Sequence, residues 1–485
     1  MKARGSMTVF LALLLTCMLS AVFAFLEAAR VSGLNANVQM CTMQAGDGVL
    51  ASYHRDLWKQ YGFLAWQGDF PEMENTEQFQ KDLIAGNLGD SLTKGNNFYV
   101  IYPELTEVEV KAFELATDRG GMPFRLQAAR CMKQNLTEDA VKKVLQMMTA
   151  AGGNSEEQAV RQEEEALNVL ETLQGKDQNP EKEKESADSP AQSGERMTEN
   201  PIAWMKKIKK NGILSVVMPE EELSEKHADF SHGVSRRALR KGTFSAGKKE
   251  TLSDRVLFQL YLYRYFTDVT EAGTDGCLDY RMEYLIVGKN SDKANVKGVV
   301  HRLILLREVS NMTFLETHPE KQKTALAVAA AITAAVGQPE LTEPVKQGIL
   351  AAWAYAESLS DVRILLEGGK VSLVKTEEQW HTQLDKLSAS VREQDGKKQQ
   401  QGLSYANYLQ LLLWSMQEEK LTYRAMDLME KDIAVSMDEM VTEMSCRYEY
   451  GAHSLFWNFV RLGKNSVSGY RFQDNAVISY LVQTK

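Results

Sequence analysis

Twenty consecutive residues near the start of the chain, Met7 to Leu26, carry no charge, and only Thr8, Thr16 and Ser20 among them are polar. A helix rises about 1.5 Å per residue, so this run is about 30 Å long, the thickness of a bilayer's hydrocarbon core. Lys2 and Arg4 precede it, and Glu27 and Arg30 follow it. That bias places residues 1–6 as a cytoplasmic leader, 7–26 as a transmembrane helix, and everything after Arg30 outside the cell membrane. No later run is as long and charge-free, so a single-pass protein is predicted. A cleaved secretory signal is the competing reading, because Val22-Phe23-Ala24 has small residues where a signal peptidase prefers them. The apolar stretch continues past Ala24 without a helix breaker into Glu27–Val31, which favours a retained anchor.

Beyond the membrane the helix is expected to continue as a stalk. Small residues recur along it, and Gly33 and Ala36 are the candidate positions for close contact with another helix. Packing within the chain and a helix bundle shared between subunits both fit that pattern. From Leu50, the residues Tyr53, Leu57, Tyr61 and Leu64 keep three- and four-residue spacing, one face of an amphipathic helix.

The remaining chain has an ordinary folded composition. With 485 residues, 44% of them hydrophobic and 25% charged, roughly two or three domains are expected. The net charge is −9, and residues 155–200 hold 13 acids and 5 bases, so nearly all the imbalance sits in one segment. Near-neutrality elsewhere argues against a nucleic-acid partner.

The predicted fold class is α+β, helix-dominated. Residues 27–150 read as a helical extracellular region, 151–203 as an acidic flexible linker, and 204–485 as a C-terminal α+β domain. In the first region, Phe98–Tyr102 reads as a short strand and Thr137–Met148 as a helix; residues 155–173 could form another. In the last, helices are expected at Val256–Phe266, Thr324–Val336 and Val345–Leu366, with one or two in Tyr405–Val435. Leu278–Val287 reads as a strand closed by Gly288, with Ser291 or Asp292 capping the next helix. Val371–Val374, Val441–Tyr450, Leu455–Arg461 and Tyr470–Leu481 read as strands.

Motifs that carry chemistry are largely missing. Gly288-Lys289-Asn290-Ser291 lacks the glycine and hydroxyl of a phosphate loop, Glu283 and Asn290 standing in their places. Ser245…Lys248 and Ser372…Lys375 match Ser-x-x-Lys, but Lys-Thr-Gly is absent. His301 and Glu308 share a helix face two turns apart. Glu283, Asp279 and Glu316 are carboxylates that nothing in the pattern selects. Cys41, Cys131, Cys277 and Cys446 allow three pairings, and their wide spacing favours lone buried thiols. No catalytic residue, cofactor or metal is predicted.

Two resemblances give context. Arg4-Gly5-Ser6-Met7-Thr8-Val9 before an apolar helix is similar to the amino terminus of TadE/TadG-type pseudopilins of tight-adherence pilus systems. The resemblance implies leader processing between Gly5 and Ser6, and puts Phe10 where that family commonly has a glutamate. Leu50–Leu57, Tyr61–Leu64, Glu283–Lys289, Leu306–Met312, Gly369–Leu373 and Arg424–Glu430 resemble an uncharacterised envelope protein family of Gram-positive anaerobes, whose members resemble products of pilus-type gene clusters. Together these imply a non-enzymatic, membrane-anchored cell-surface component. The expected role is a pseudopilin-like structural or assembly subunit with pilus-type partners. An anchored interaction or sensory domain, and a surface enzyme without a local motif, are the alternatives.

Overall fold

The computed structural model describes residues 4–70, 73–92, 103–135, 201–219, 223–244, 249–271, 276–387, 391, 401–455 and 469–481. The expected strand at 98–102, the helices at 137–148 and 155–173, the linker up to residue 200, the 245–248 motif and all but the first residue of the 455–461 strand lie outside them. The fold is helix-dominated α+β with a small antiparallel sheet.

In chain order the elements are α1 (Arg4–Ala51), α2 (Arg55–Tyr61), β1 (Trp66–Gln67), α3 (Glu74–Leu92), β2 (Glu104–Leu115), α4 (Asp118–Asn135), α5 (Pro201–Asn211) and α6 (Leu214–Val217). There follow α7 (Leu252–Tyr265), α8 (Arg281–Val287), α9 (Asp292–Thr317), α10 (Pro319–Val336), α11 (Thr342–Leu366), α12 (Tyr405–Trp414), α13 (Glu418–Ile433), β3 (Met440–Ala452) and β4 (Tyr470–Ser479). They fall into two units, one from Met1–Asn135, Gly233–Phe258 and Ile433–Lys485, the other from Leu136–His232 and Gln259–Asp432. This division does not follow the contiguous 27–150 and 204–485 split expected from the sequence, because strand pairing joins residues far apart in the chain.

In the first unit α1 runs unbroken for 48 residues. Among the described residues it is the helix long and apolar enough to cross a membrane. Met7, Phe10, Leu11, Leu13 and Met18 are exposed along its first half. From Glu27 the helix becomes a packing element: Leu34, Val38, Cys41, Ala45 and Val49 recur every three or four residues and are buried. They pack on β4 and α3. Gly46 and Gly48 do not break the helix; they let it approach its neighbours. A Cβ at Gly46 would lie 3.3 Å from Ile478 Cγ1, and one at Gly48 2.7 Å from Leu83 Cδ1. Glu27 and Arg30 form a buried pair at 3.0 Å where the apolar run ends.

The helix ends at Ala51, so the Leu50–Leu64 stripe is not one helical face. His54 Nδ1 caps the separate α2 by accepting from Leu57 N–H, and Gly62 in the left-handed region ends it. Strand β3 is central in the sheet, with β2 on one edge and β4 and β1 on the other, all antiparallel. Met444, Cys446, Tyr448 and Tyr450 alternate inward from β3 into the core beneath α1. Tyr450 Oη lies 3.1 Å from Thr42 Oγ1. Strand β2 corrects the expectation of a largely helical 28–150: Val108, Val110 and Ala112 alternate with charged residues, the period of a strand.

The second unit is built around α11, buried from Gly348 to Val362 and packed by α9, α10, α5 and α6. Ser291 caps α9, its Oγ accepting from Ala294 N–H at 3.3 Å. The expected strand at 278–287 is instead helix α8, closed by Gly288 at φ +78°. A short apolar run is compatible with either state. Here the Arg424 guanidinium selects the helix: it donates to the carbonyls of Leu285 and Ile286 at 2.7 Å and of Val287 at 3.0 Å, satisfying the helix end. The expected 371–374 strand reduces to a single bridge, Val371 to Leu403. Tyr405–Val435 holds two helices.

Candidate functional site

The two facing helices of the second unit each carry a polar pair one turn apart: Arg307 and Asn311 on α9, Glu357 and Asp361 on α11. Residues four apart share a helix face, so the pairs meet in the core. Asp361 Oδ2 accepts from Arg307 Nε at 2.9 Å and from Asn311 Nδ2 at 3.0 Å. Arg307 Nη1 donates to the carbonyls of Ser372 (2.9 Å) and Leu373 (3.0 Å) and to Tyr408 Oη (3.0 Å). Asn311 Nδ2 also reaches Ser358 Oγ at 3.0 Å.

After α11 the chain turns at Gly368, φ +86°, and residues 371–382 supply the rest. Lys375 Nζ contacts Glu357 Oε1 and lies 2.5 Å from Asp361 Oδ1. Glu357 also accepts from the backbone N–H groups of His381, at 3.0 and 3.2 Å, and of Thr382, at 2.8 Å. His381 Nδ1 lies 3.2 Å from Glu357 Oε1. The side chains of Arg307, Glu357 and Asp361 are 0% exposed and that of Lys375 2%. Burial alone would raise the Glu357 carboxyl, but the Lys375 ammonium and His381 override it and hold the group well below the usual carboxylate range.

Aromatic rings close the network. Trp380 stacks on Phe314 with centroids 4.9 Å apart and meets Trp353 edge-on at 5.8 Å. Lys375 Nζ lies 5.8 Å from the Trp380 centroid, and Lys321 Nζ 5.1 Å from that of Trp353. Beside the rings is an open cleft of about 410 Å³, lined by residues including Glu320, Lys321, Thr324, Trp353, Thr382 and Asp385.

Glu357, Asp361 and His381 place donor atoms within 4.8 Å of one another, the one such grouping among the described residues. The Lys375 ammonium already lies against both carboxylates, and with Arg307 it balances their charge. A divalent ion would have to displace that lysine, so the donor set fits an internal ion pair better than a metal centre.

The shape of the 371–373 segment depends on Gly402. Its φ is +117°, and a Cβ there would fall 2.3 Å from Val371 C and 2.4 Å from Ser372 N. Gly402→Ala is therefore expected to displace the carbonyls that Arg307 uses, costing about 1–3 kcal/mol. Urea unfolding reads this directly, and an unchanged midpoint would show that the segment can shift without loss.

The sequence candidates lie elsewhere. Gly5 and Ser6 are within α1. Gly33 is half-buried and Ala36 exposed, while Leu34 and Val38 between and beside them face the core. Glu283 is fully buried, accepting from Tyr405 Oη at 2.8 Å and Val269 N–H at 3.0 Å. Asp279 pairs with Lys226 at 2.7 Å, and Glu316 is exposed on α9, so these three carboxylates do not converge. His301 is exposed and Glu308 half-buried.

No disulfide joins the five cysteines. Cys41 and Cys446 are buried in the first unit, where burial pushes the Cys446 thiol up to about 11. Of the Ser372…Lys375 pair, Lys375 enters the network while Ser372 contributes only its carbonyl. Sequence reasoning missed Arg307, Asn311, Glu357, Asp361 and His381. The available signal was two acids, Glu357 and Asp361, one turn apart within the mainly apolar run Ile349–Leu365.

These features define a helix-dominated α+β protein with an apolar amino-terminal helix and a charged network sealed in its second unit. The chain belongs to DUF5702, a family of unknown function, whose family model matches residues 191–452. That span contains the whole network. No curated protein and no solved structure matches the chain.

Proposed function

We propose that the protein is a non-enzymatic, membrane-anchored component of a bacterial cell surface, a pseudopilin-like structural or assembly subunit of a tight-adherence-type pilus or secretion machine. Its amino terminus is cytoplasmic and its bulk extracellular. The observation that carries this reading is the division of labour along α1: an exposed apolar half and a second half packed on an antiparallel sheet. Such a helix presents one face to its own domain and leaves the other for neighbours. Ala29 and Ala36, with Met40 (48% exposed) and Met43 (69% exposed), lie on the open side. Small residues permit close helix approach and methionines adapt to a partner surface. The Gly5-Ser6 leader supports the same reading, while Phe10 in the glutamate position separates this chain from subunits that use that acid.

The test is in-cell crosslinking from a cysteine-free variant with single cysteines along residues 28–40. Crosslinks between chains are expected from position 36 and not from the buried positions 34 and 38. Changing Gly33→Leu and Ala36→Leu together should remove the crosslinks reported by cysteines at the open positions 29 and 40 while the protein stays folded and membrane-bound. Complete absence of crosslinks in the unmutated helix would defeat the assembly reading. The weight would then pass to an anchored interaction domain, which the cleft beside Trp353 and Lys321 supports.

A further inference from the structure

We propose that Lys375 and Asp361 condense into an internal amide, a side-chain isopeptide bond, with Glu357 carrying the proton between them. The proposal is independent of the assembly reading and rests on three adjacent features of the buried network.

First, the reacting groups are already held together: Lys375 Nζ lies 2.5 Å from Asp361 Oδ1, both side chains all but inaccessible to water. Groups fixed in this way react with effective molarities of about 10⁵–10⁸ M. Second, the two carboxylate oxygens of Asp361 are not equivalent. Oδ2 is gripped by Arg307 Nε and Asn311 Nδ2, donors placed to stabilise the charge that builds on it when the carbon becomes tetrahedral. Oδ1 lies against Lys375 Nζ as an ion pair and accepts no hydrogen bond, which leaves it free to depart. Third, Glu357 Oε1 touches Lys375 Nζ. Glu357 is held ionised chiefly against its burial by the lysine's charge, so when that charge leaves with the proton the carboxylate becomes a competent acceptor.

The balance is complete without a co-reactant. The ammonium gives one proton to Glu357, and neutral Nζ attacks Asp361 Cγ, forming the C–N bond. A second proton from nitrogen and the proton on Glu357 both pass to Oδ1, and the C–Oδ1 bond breaks to release water. One proton remains on the amide nitrogen and Glu357 is again ionised. The product replaces two buried charges with a neutral amide, removing a desolvation cost, and leaves Arg307 to balance Glu357.

The full-length protein, extracted in detergent and digested with trypsin, tests this by mass spectrometry. Residues 347–363 and 371–386 should appear as one species, lighter than their sum by one water, with fragment ions joining Asp361 to Lys375. Glu357→Gln should give folded protein without the link. Asp361→Asn, which keeps shape and volume, should link with loss of one ammonia instead of one water. Should Glu357→Gln fail to fold, the unmutated protein and Asp361→Asn still decide. Quantitative recovery of 371–375 as a free, unmodified peptide from folded protein overturns the proposal, as does a linked species retained in Lys375→Arg.

Discussion

Replacing Arg307 by methionine is expected to lower the stability of the second unit by about 3–5 kcal/mol, the usual cost of removing one partner from a buried ion pair. That is a large share of the roughly 5–15 kcal/mol that holds a domain together. The guanidinium is 0% exposed and is the shared donor for Asp361, Tyr408 and the carbonyls of Ser372 and Leu373. Methionine fills much of the volume but leaves these acceptors without their donor. Urea unfolding followed by tryptophan fluorescence measures the loss. Arg307→Met combined with Asp361→Leu should be less destabilised than Arg307→Met alone, since the second change removes the stranded acceptor. An equal or greater loss in the pair would show that Arg307 acts by tying the 371–373 segment and not by neutralising Asp361.

The second large effect depends on pH and on Glu283. Burial pushes its carboxyl from an ordinary 4.5 up to about 8, the Asp268 charge adding to the rise against the Val269 and Tyr405 donors, and its Oε2 has no partner. In the unfolded chain this acid ionises near 4.5; in the folded chain it keeps its proton until about 8. The folded state therefore binds the extra proton throughout that window, and stability falls as pH rises from about 4.5 to 8 and levels off above it. At about 1.4 kcal/mol per pKa unit the fall is a few kcal/mol. Glu283→Gln keeps a neutral group of the same shape, so it should flatten this slope and melt higher than the unmutated protein at pH 8, with little difference at pH 4.5. Parallel melting curves for the two proteins across the window would sink the assignment.

Much of the helical framework was readable from residues whose local chemistry has one solution. Ser291 before Asp292 marked the start of α9, and the long apolar periods of α10 and α11 marked where those helices end, at Val336 and Leu366. Among the misread elements, two show a local signal that was ambiguous or diluted. Met282–Val287 is too short and apolar for periodicity to separate strand from helix, and Arg424, more than a hundred residues away, decides it. Strand β2 alternates as a strand should, but its charged residues blend with the helical stretches around it. The buried network was invisible for a different reason. No spacing rule relates Arg307, Glu357 and Lys375, and only the antiparallel meeting of α9 and α11 and the turn at Gly368 bring them into register.

Strand β3 pairs with β2 across more than three hundred residues of sequence, from Leu105↔Tyr450 to Leu115↔Val441. During synthesis α1 emerges first and β4 last of the sheet's partners. The packing half of α1 thus lacks the β4 part of its cover for nearly the whole of translation, with only α3 reaching it early. Long-range pairing of this kind closes slowly, because the loop entropy is lost before any contact compensates it. A chain interrupted anywhere between residues 136 and 440 would lack β3 and β4 and leave the side of α1 that packs on β4 open to solvent, an apolar surface that favours aggregation. Completion of the chain is in this way recorded in the burial of its first helix.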